Sequence, residues 1–262
     1  MKIRTLLVVL ISLTLSTQFL WSKSNEEKRE FYQLTVYHYN TPSQETILDN
    51  YFQNALIPAL HDMDIQSVGV FKAISNDTST NKTLYVLFPI KSLNMVDYIN
   101  GKLLNDEKFK SAGNEYLNVK YDTPAYKRIE TILLKSFSLS PVMKLPKLDS
   151  PKNQRVYELR SYESASESIF RNKVQMFNEG GEIDIFAKLN FNAVFYGEVI
   201  AGSQMPNLMY MTTFENMGER DAHWDTFRND ADWKKLSSLS EYKNNVSRSV
   251  ITLIRPTDYS DY

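Results

Sequence analysis

The chain has 262 residues, 42% of them hydrophobic, with 30 Lys and Arg against 31 Asp and Glu and a net charge of −1. That balance offers no basic surface for a nucleic-acid partner. The absence of cysteine excludes disulfides, thiolate catalysis, cysteine-based metal sites and a lipid anchor on an N-terminal cysteine.

Residues 1–24 read as a secretory signal peptide. Lys2 and Arg4 make a basic start, residues 5–15 form an apolar run, and Ser22 and Ser24 fit the −3 and −1 positions of a cleavage site. The run is shorter than the ~20 residues that span a bilayer. The expectation is therefore export by a cleavable Sec-type signal, cleavage near Ser24, a secreted or periplasmic protein and no stable membrane span afterwards. The alternative is an uncleaved anchor lengthened by Phe19, Leu20 and Trp21. Cleavage removes Lys2, Arg4 and Lys23 and no acid, moving the net charge from −1 to −4.

A strand is predicted over 31–39, rich in aromatic and β-branched residues. Thr41 and Pro42 then open a helix, as N-cap and first helical residue, running to about residue 62 with an interruption expected at Pro58. A hairpin follows, with strands over 67–74 and 83–90. Helical segments over 93–103 and 106–112 and a strand over 127–137 complete a β-α-β-β-α-β order. Pro141, Pro146 and Pro151 mark 137–153 as an extended linker, because proline fixes φ and stiffens such stretches. The same order then recurs: a strand over 155–162, helices over 165–178 and 182–189 broken at Gly180-Gly181, a hairpin of 192–200 and 208–214, helices over 219–228 and 230–236, and a strand over 247–255. The tail, 257–262, is expected to be disordered.

The recurrence is also literal. Phe31-Tyr32-Gln33-Leu34-Thr35-Val36-Tyr37 returns as Val156-Tyr157-Glu158-Leu159-Arg160-Ser161-Tyr162, and Asn105-Asp106-Glu107-Lys108-Phe109-Lys110 as Asn229-Asp230-Ala231-Asp232-Trp233-Lys234, shifted by 125 and 124 residues. The order is that of the ferredoxin-like split βαβ unit, whose sheet carries helices on one face and needs a cover on the other. The fold class is thus α+β. The expected division is two tandem ferredoxin-like domains, 30–136 and 154–256, packed sheet to sheet as an intramolecular pseudo-dimer, with a homo-oligomer also open.

Side chains alternate along a strand. Tyr157, Leu159 and Ser161 form the more apolar face and are expected under the helices. Glu158, Arg160 and Tyr162 are expected to point away from them, into the space between the sheets. There they either orient a small polar ligand or form an ion pair at a wet sheet face. Arg220, His223, Trp224 and Phe227 share a helix face by their spacing. His223 is a packed histidine or a functional one. His38, His61 and His223 have no ligand-like spacing, so no metal and no cofactor are indicated, and phosphate-loop, zincin and nucleophile-elbow motifs are absent. Glu158, Arg160, Tyr162, His223 and Trp224 are the candidate pocket residues.

Glu158-Leu159-Arg160-Ser161-Tyr162, the strand Asn207 to Asn216, the Trp224-Asp225-Thr226-Phe227 helix and Asp230-Ala231-Asp232-Trp233, in this order, resemble the NIPSNAP family over 154–256. The first copy resembles it in degenerate form, with Gln33 and Thr35 in place of Glu158 and Arg160, and Asn100 and Leu103 in place of Trp224 and Phe227. The resemblance implies a dimeric α/β-barrel fold, a fold that also serves monooxygenases, haem-degrading enzymes and simple binding proteins. It transfers no catalytic residue. Three functions stay open: a module binding a small, partly apolar ligand; a cofactor-independent oxygenase- or isomerase-like enzyme with Glu158 or His223 as base and Arg160 steadying an anion; and a structural or interaction protein whose barrel is filled by side chains.

Overall fold

The computed structural model describes residues 29–262, and the expected signal segment lies outside the described residues. The first half comprises β1 (Phe31–Tyr39), α1 (Pro42–Tyr51), a π-helical turn (Phe52–Leu56), α2 (Ile57–His61), β2 (Gly69–Ala73), β3 (Lys82–Ile90), α3 (Asn94–Leu104), α4 (Glu107–Ala112), α5 (Asn114–Leu117) and β4 (Arg128–Ser136). The second comprises β5 (Val156–Glu163), α6 (Glu167–Phe177), α7 (Glu182–Lys188), β6 (Phe195–Ala201), β7 (Asn207–Phe214), α8 (Met217–Asn229), α9 (Ala231–Ser238) and β8 (Arg248–Pro256). Thr41 caps α1 in a full capping box with Gln44. The interruption expected at Pro58 takes the form of a π-helical turn just before it, where the Ile57 amide donates to the Phe52 carbonyl five residues back, and the helix continues as α2 with Pro58 in its first turn.

The eight strands close a barrel in the order β1-β3-β2-β8-β5-β7-β6-β4. All neighbours are antiparallel, and the two half-sheets are sewn together at β2–β8 and β4–β6. Four antiparallel steps separate β1 from β5, so these strands run in the same direction on opposite walls. Crosswise aromatic pairs express the pseudo-symmetry. Tyr32 of β1 packs on Phe195 of β6 with centroids 5.2 Å apart, and Tyr157 of β5 packs on Phe71 of β2 at 5.0 Å. A closed antiparallel barrel of two ferredoxin-like units is therefore the architecture.

Three apolar cores result. One lies inside the barrel, with residues from both halves that include Tyr32, Leu34, Tyr157, Leu159, Met209 and Ile254. The other two lie between each half-sheet and its own helices. This reverses the faces expected for β5. Tyr157, Leu159 and Ser161 point into the barrel, and Glu158, Arg160 and Tyr162 point toward the helices. The physical reason is the supply of partners: the inner face lies against the opposite half-sheet and takes the more apolar set, whereas helix α8 offers partners to polar groups on the outer face.

Residues 137–153 contain no helix or strand but are tied down. The Met143 amide donates to Glu30 and the Lys144 amide to the Val194 carbonyl, and the Asp149 and Ser150 amides donate to the Glu215 carboxylate. Met143 and Leu148 pack against the barrel core. The tail, expected to be disordered, is ordered. The Thr257 and Asp261 amides donate to the Val70 and Val68 carbonyls, and Tyr262 is 4% exposed, packed against Phe71 and Tyr157. Its polarity misleads because its aromatic rings are buried and its polar groups satisfy amides beside β2.

Candidate functional site

The outer face of β5 carries the densest polar cluster of the second half. Glu158 is fully buried. Its Oε1 accepts from Arg160 Nε at 2.6 Å and Arg220 Nη2 at 3.2 Å, and its Oε2 accepts from Arg220 Nε at 2.7 Å and the Trp224 indole N–H at 2.8 Å. The strand's alternation presents Glu158, Arg160 and Tyr162 together. Helix α8 presents Arg220 and Trp224 together because they are four residues apart, and Asn216 starts that helix by accepting from the Glu219 amide.

Arg160 is the centre of the arrangement. Its guanidinium carbon lies 3.6 Å from the centre of the Trp224 ring, and its Nη1 donates to the Tyr162 hydroxyl, itself 2.8 Å from the Tyr210 hydroxyl. Burial alone would lower the pKa of Arg160, but Tyr210, Tyr162 and Glu158 outweigh it and hold the value raised. The guanidinium is permanently charged. Burial pushes the Tyr210 hydroxyl well up, so it stays a neutral donor and acceptor.

Beside this cluster lies a buried ion pair. Lys173 of α6, 4% exposed, donates to Glu182 of α7, 2% exposed, at 2.7 Å, and sits 4.6 Å from the centre of the Phe177 ring. Burial raises the Glu182 pKa, with Lys173 only partly offsetting it. Gly180 and Gly181 make the pair feasible. A Cβ on Gly180 would fall 2.5 Å from the Met176 carbonyl, and Gly181 has φ +86°, a left-handed conformation that costs glycine little. The chain therefore reverses between α6 and α7 and sets Glu182 opposite Lys173.

Arg160, Tyr162, Lys173, Glu182 and Trp224, with Phe186, Phe227 and Trp233, line a pocket of about 410 Å³ between β5 and β8 and the helices. The structure thus brings four of the five sequence-predicted residues together: Arg160, Tyr162 and Trp224 on the pocket wall, with Glu158 locked behind them. His223 is apart. Its Nδ1 meets the Glu219 carbonyl at 2.8 Å, its ring packs on Phe191 and Phe214, and it lines a different groove beside residues 139–148. Lys173, Glu182 and Tyr210 are the members that sequence reasoning missed. Arg220 shares the helix face of Trp224, as its spacing predicts, and joins the cluster although it is not among the five candidate pocket residues. Lys173 and Glu182 were not findable, because only the glycine reversal unites them. The first half has no counterpart: Gln33 and Thr35 replace Glu158 and Arg160, and its helix–sheet layer is filled by aromatics such as Tyr51 and Tyr116, stacked at 3.8 Å. Among the described residues no three His, Asp or Glu side chains converge as a metal site, and no helix is long and apolar enough to cross a membrane.

Residues 157–261 match the NIPSNAP family, a span that contains the whole cluster and leaves the first half outside. No curated protein matches the chain in sequence. Among solved structures, a monooxygenase candidate from Lactobacillus acidophilus NCFM is 10% identical over 87% of this chain and 94% of its own, with a TM-score of 0.55. Another from Fusobacterium nucleatum is 9% identical over 88% and 93%, with a TM-score of 0.56. A NIPSNAP family protein from Agrobacterium tumefaciens C58 is 18% identical over 45% of this chain and 97% of its own, with a TM-score of 0.37. At such identities the two whole-chain likenesses concern the fold.

Proposed function

We propose that the chain is a small-molecule-binding module whose site is the pocket between β5, β8 and helices α6–α8, and that its ligand is a flat, largely apolar molecule with one anionic group. The observation that carries this reading is the Arg160 guanidinium, fixed against Trp224 in the wall of an aromatic cavity. The volume, about 410 Å³, falls within the ~300–1,000 Å³ of small-molecule sites. Across the whole cluster Arg160, Arg220 and Lys173 are balanced by Glu158, Glu182 and Asp221. On the pocket wall itself, however, Arg160, Lys173 and Arg228 stand against the single carboxylate of Glu182, so an anionic ligand group meets a positive lining.

The test uses 2-naphthoate as probe and tryptophan fluorescence as readout, since Trp224 and Trp233 both line the pocket. Saturable quenching is expected. It should weaken at least about tenfold for Arg160→Met, the scale of a lost charge-assisted hydrogen bond, and for the neutral 2-naphthalenemethanol. Equal quenching by the folded Arg160→Met variant overturns the proposal.

A second reading, an enzyme that moves a proton on its ligand, has one observation in its favour. Glu182, with its raised pKa, lies in the pocket wall. Glu158, saturated with donors, and His223, outside the pocket, are poorly placed for that role. Deuterium exchange into an activated C–H of a bound ligand, abolished by Glu182→Gln, is the measurement. Export through residues 1–24 is part of the same proposal and is tested by the N-terminal mass of the protein recovered outside the cytoplasm.

A further inference from the structure

We propose a second ligand site, inside the barrel, that takes a small neutral amphiphile with one hydrogen-bonding head. Because β1 and β5 run in the same direction, their inward side chains form matched layers: Tyr32 with Tyr157, Leu34 with Leu159, Val36 with Ser161, and His38 with Glu163 at the rim. The first layer is sealed. Tyr262 packs there on Phe71 and Tyr157, and Met143 and Leu148 close over it. The other three layers line a blind cavity of about 240 Å³ open at the opposite end of the barrel. That is room for roughly eight waters at ~30 Å³ each, or for a single ring with a short substituent.

The lining specifies the ligand. The floor and walls are aliphatic, with Leu34, Leu159, Val199 and Met209 among them. The neck carries the polar groups Ser161, Asn207 and Thr252 from the second half and Tyr85 from the first. Ser161 replaces the Val36 of the first half and accepts a 2.8 Å hydrogen bond from Asn207, which is 3% exposed. The Asn207 Oδ1 has no partner. Turning the amide around would leave its nitrogen unpaired instead, because Ser161 can serve only one end. The Asn207 oxygen is itself out of reach of water, so the group a ligand head meets is the Ser161 hydroxyl, which accepts from Asn207 and can still donate. The rim charges are engaged: Glu163 with Arg248 at 3.2 Å and Glu130 with the Ser203 hydroxyl. These charges are confined to the rim, where Glu130 leaves the mouth unfavourable to anions, and the interior below them is lined by uncharged groups, so the head is neutral. Ser161 and Arg160 lie on opposite faces of β5, which separates this cavity from the helix-side pocket.

The full chain, labelled with ¹³C-methyl methionine, is titrated with benzyl alcohol and followed by NMR. A saturable shift of the Met209 methyl is expected, with that of Met176, in the helix-side core, unmoved. Ser161→Val should weaken binding about fivefold, as for one lost hydrogen bond. Val36→Phe, which fills the cavity, should abolish it. Arg160→Met, across the sheet, should leave it unchanged, so failure here and failure of the helix-side site are distinguishable. A Met209 shift that does not saturate, or one that persists in Val36→Phe, overturns the proposal. If Val36→Phe does not fold, an unchanged affinity in Ser161→Val overturns it alone.

Discussion

Arg160 lies over Trp224, its guanidinium carbon 3.6 Å from the indole centre, and both side chains donate to the one carboxylate of Glu158. The three residues form a closed triangle that fastens helix α8 to strand β5. Each contact presupposes the other two. The cation–π contact is worth ~2 kcal/mol when desolvated, and it fixes the guanidinium against a rigid plane. The buried carboxylate keeps that cation compensated. The triangle is thus both a structural fastening and the preorganised wall of the proposed pocket.

Removing the charge of Glu158 should therefore be costly. Glu158→Gln keeps the shape but leaves Arg160 without its counter-ion and Arg220 with only the exposed Asp221. Breaking a buried pair in this way typically costs ~3–5 kcal/mol. Urea denaturation should show a loss in that range, whereas Gln33→Ala, at the matching site of the first half, should lie within about 0.5 kcal/mol of wild type. A loss below ~1 kcal/mol for Glu158→Gln contradicts the account.

Much of this arrangement was legible in the sequence. The repeated strand motif and the βαββαβ order predicted the half-sheets and the need for a cover, and the polar stripe Glu158, Arg160, Tyr162 marked the right strand. The face was not legible. Relative hydrophobicity separates a wet face from a dry one, but both faces of β5 are covered, so the ranking carried no direction. His223 was misplaced beside Trp224 because neighbours on a helix point ~100° apart. The ion pair of Lys173 and Glu182 left no local trace, and the buried tail read as polar because its burial depends on amides elsewhere in the chain.

That ion pair lends itself to a double-mutant cycle. Lys173→Met leaves Glu182 buried alone, and Glu182→Leu leaves Lys173 alone. Each should cost ~3–5 kcal/mol, while the double variant should be near neutral or more stable than wild type, since apolar residues of similar size can replace a buried pair. Additive losses in chemical denaturation would show that the two side chains do not act as a pair.

The pH dependence follows with its sign. Burial holds the folded Glu182 pKa above its ordinary 4.5. Between the two values the folded chain binds more protons than the unfolded chain, so this group's contribution falls as pH rises through that window. Glu215 acts oppositely. Its hydrogen bonds from Ser150 and the Asp149 amide lower its pKa from 4.5, so its contribution is present above that value and lost as pH falls through the folded pKa. Lys173→Met removes the group that restrains Glu182 and extends its window upward. Denaturation midpoints should fall more steeply as pH rises above 4.5 in Lys173→Met than in wild type; parallel profiles contradict the coupling.

The tail gives the last prediction, because it closes the barrel that every other feature depends on. Tyr262 fills the sealed end, and truncating a buried aromatic leaves a cavity worth ~3–5 kcal/mol. Tyr262→Ala should cost about that much. Tyr262→Phe should cost under ~1 kcal/mol, since the hydroxyl meets only the weak acceptor sulfur of Met143. The tail also holds backbone donors: the Val68 amide donates to Asp261 at 2.7 Å and the Val70 amide to the Ser260 hydroxyl at 3.0 Å. Deleting residues 257–262 frees both. Hydrogen exchange at Val68 and Val70 should then accelerate, while amides in the middle of β5, paired on both sides by β7 and β8, stay protected if the barrel survives. Unchanged exchange at Val68 and Val70 would mean that the tail does not cover the barrel end in solution.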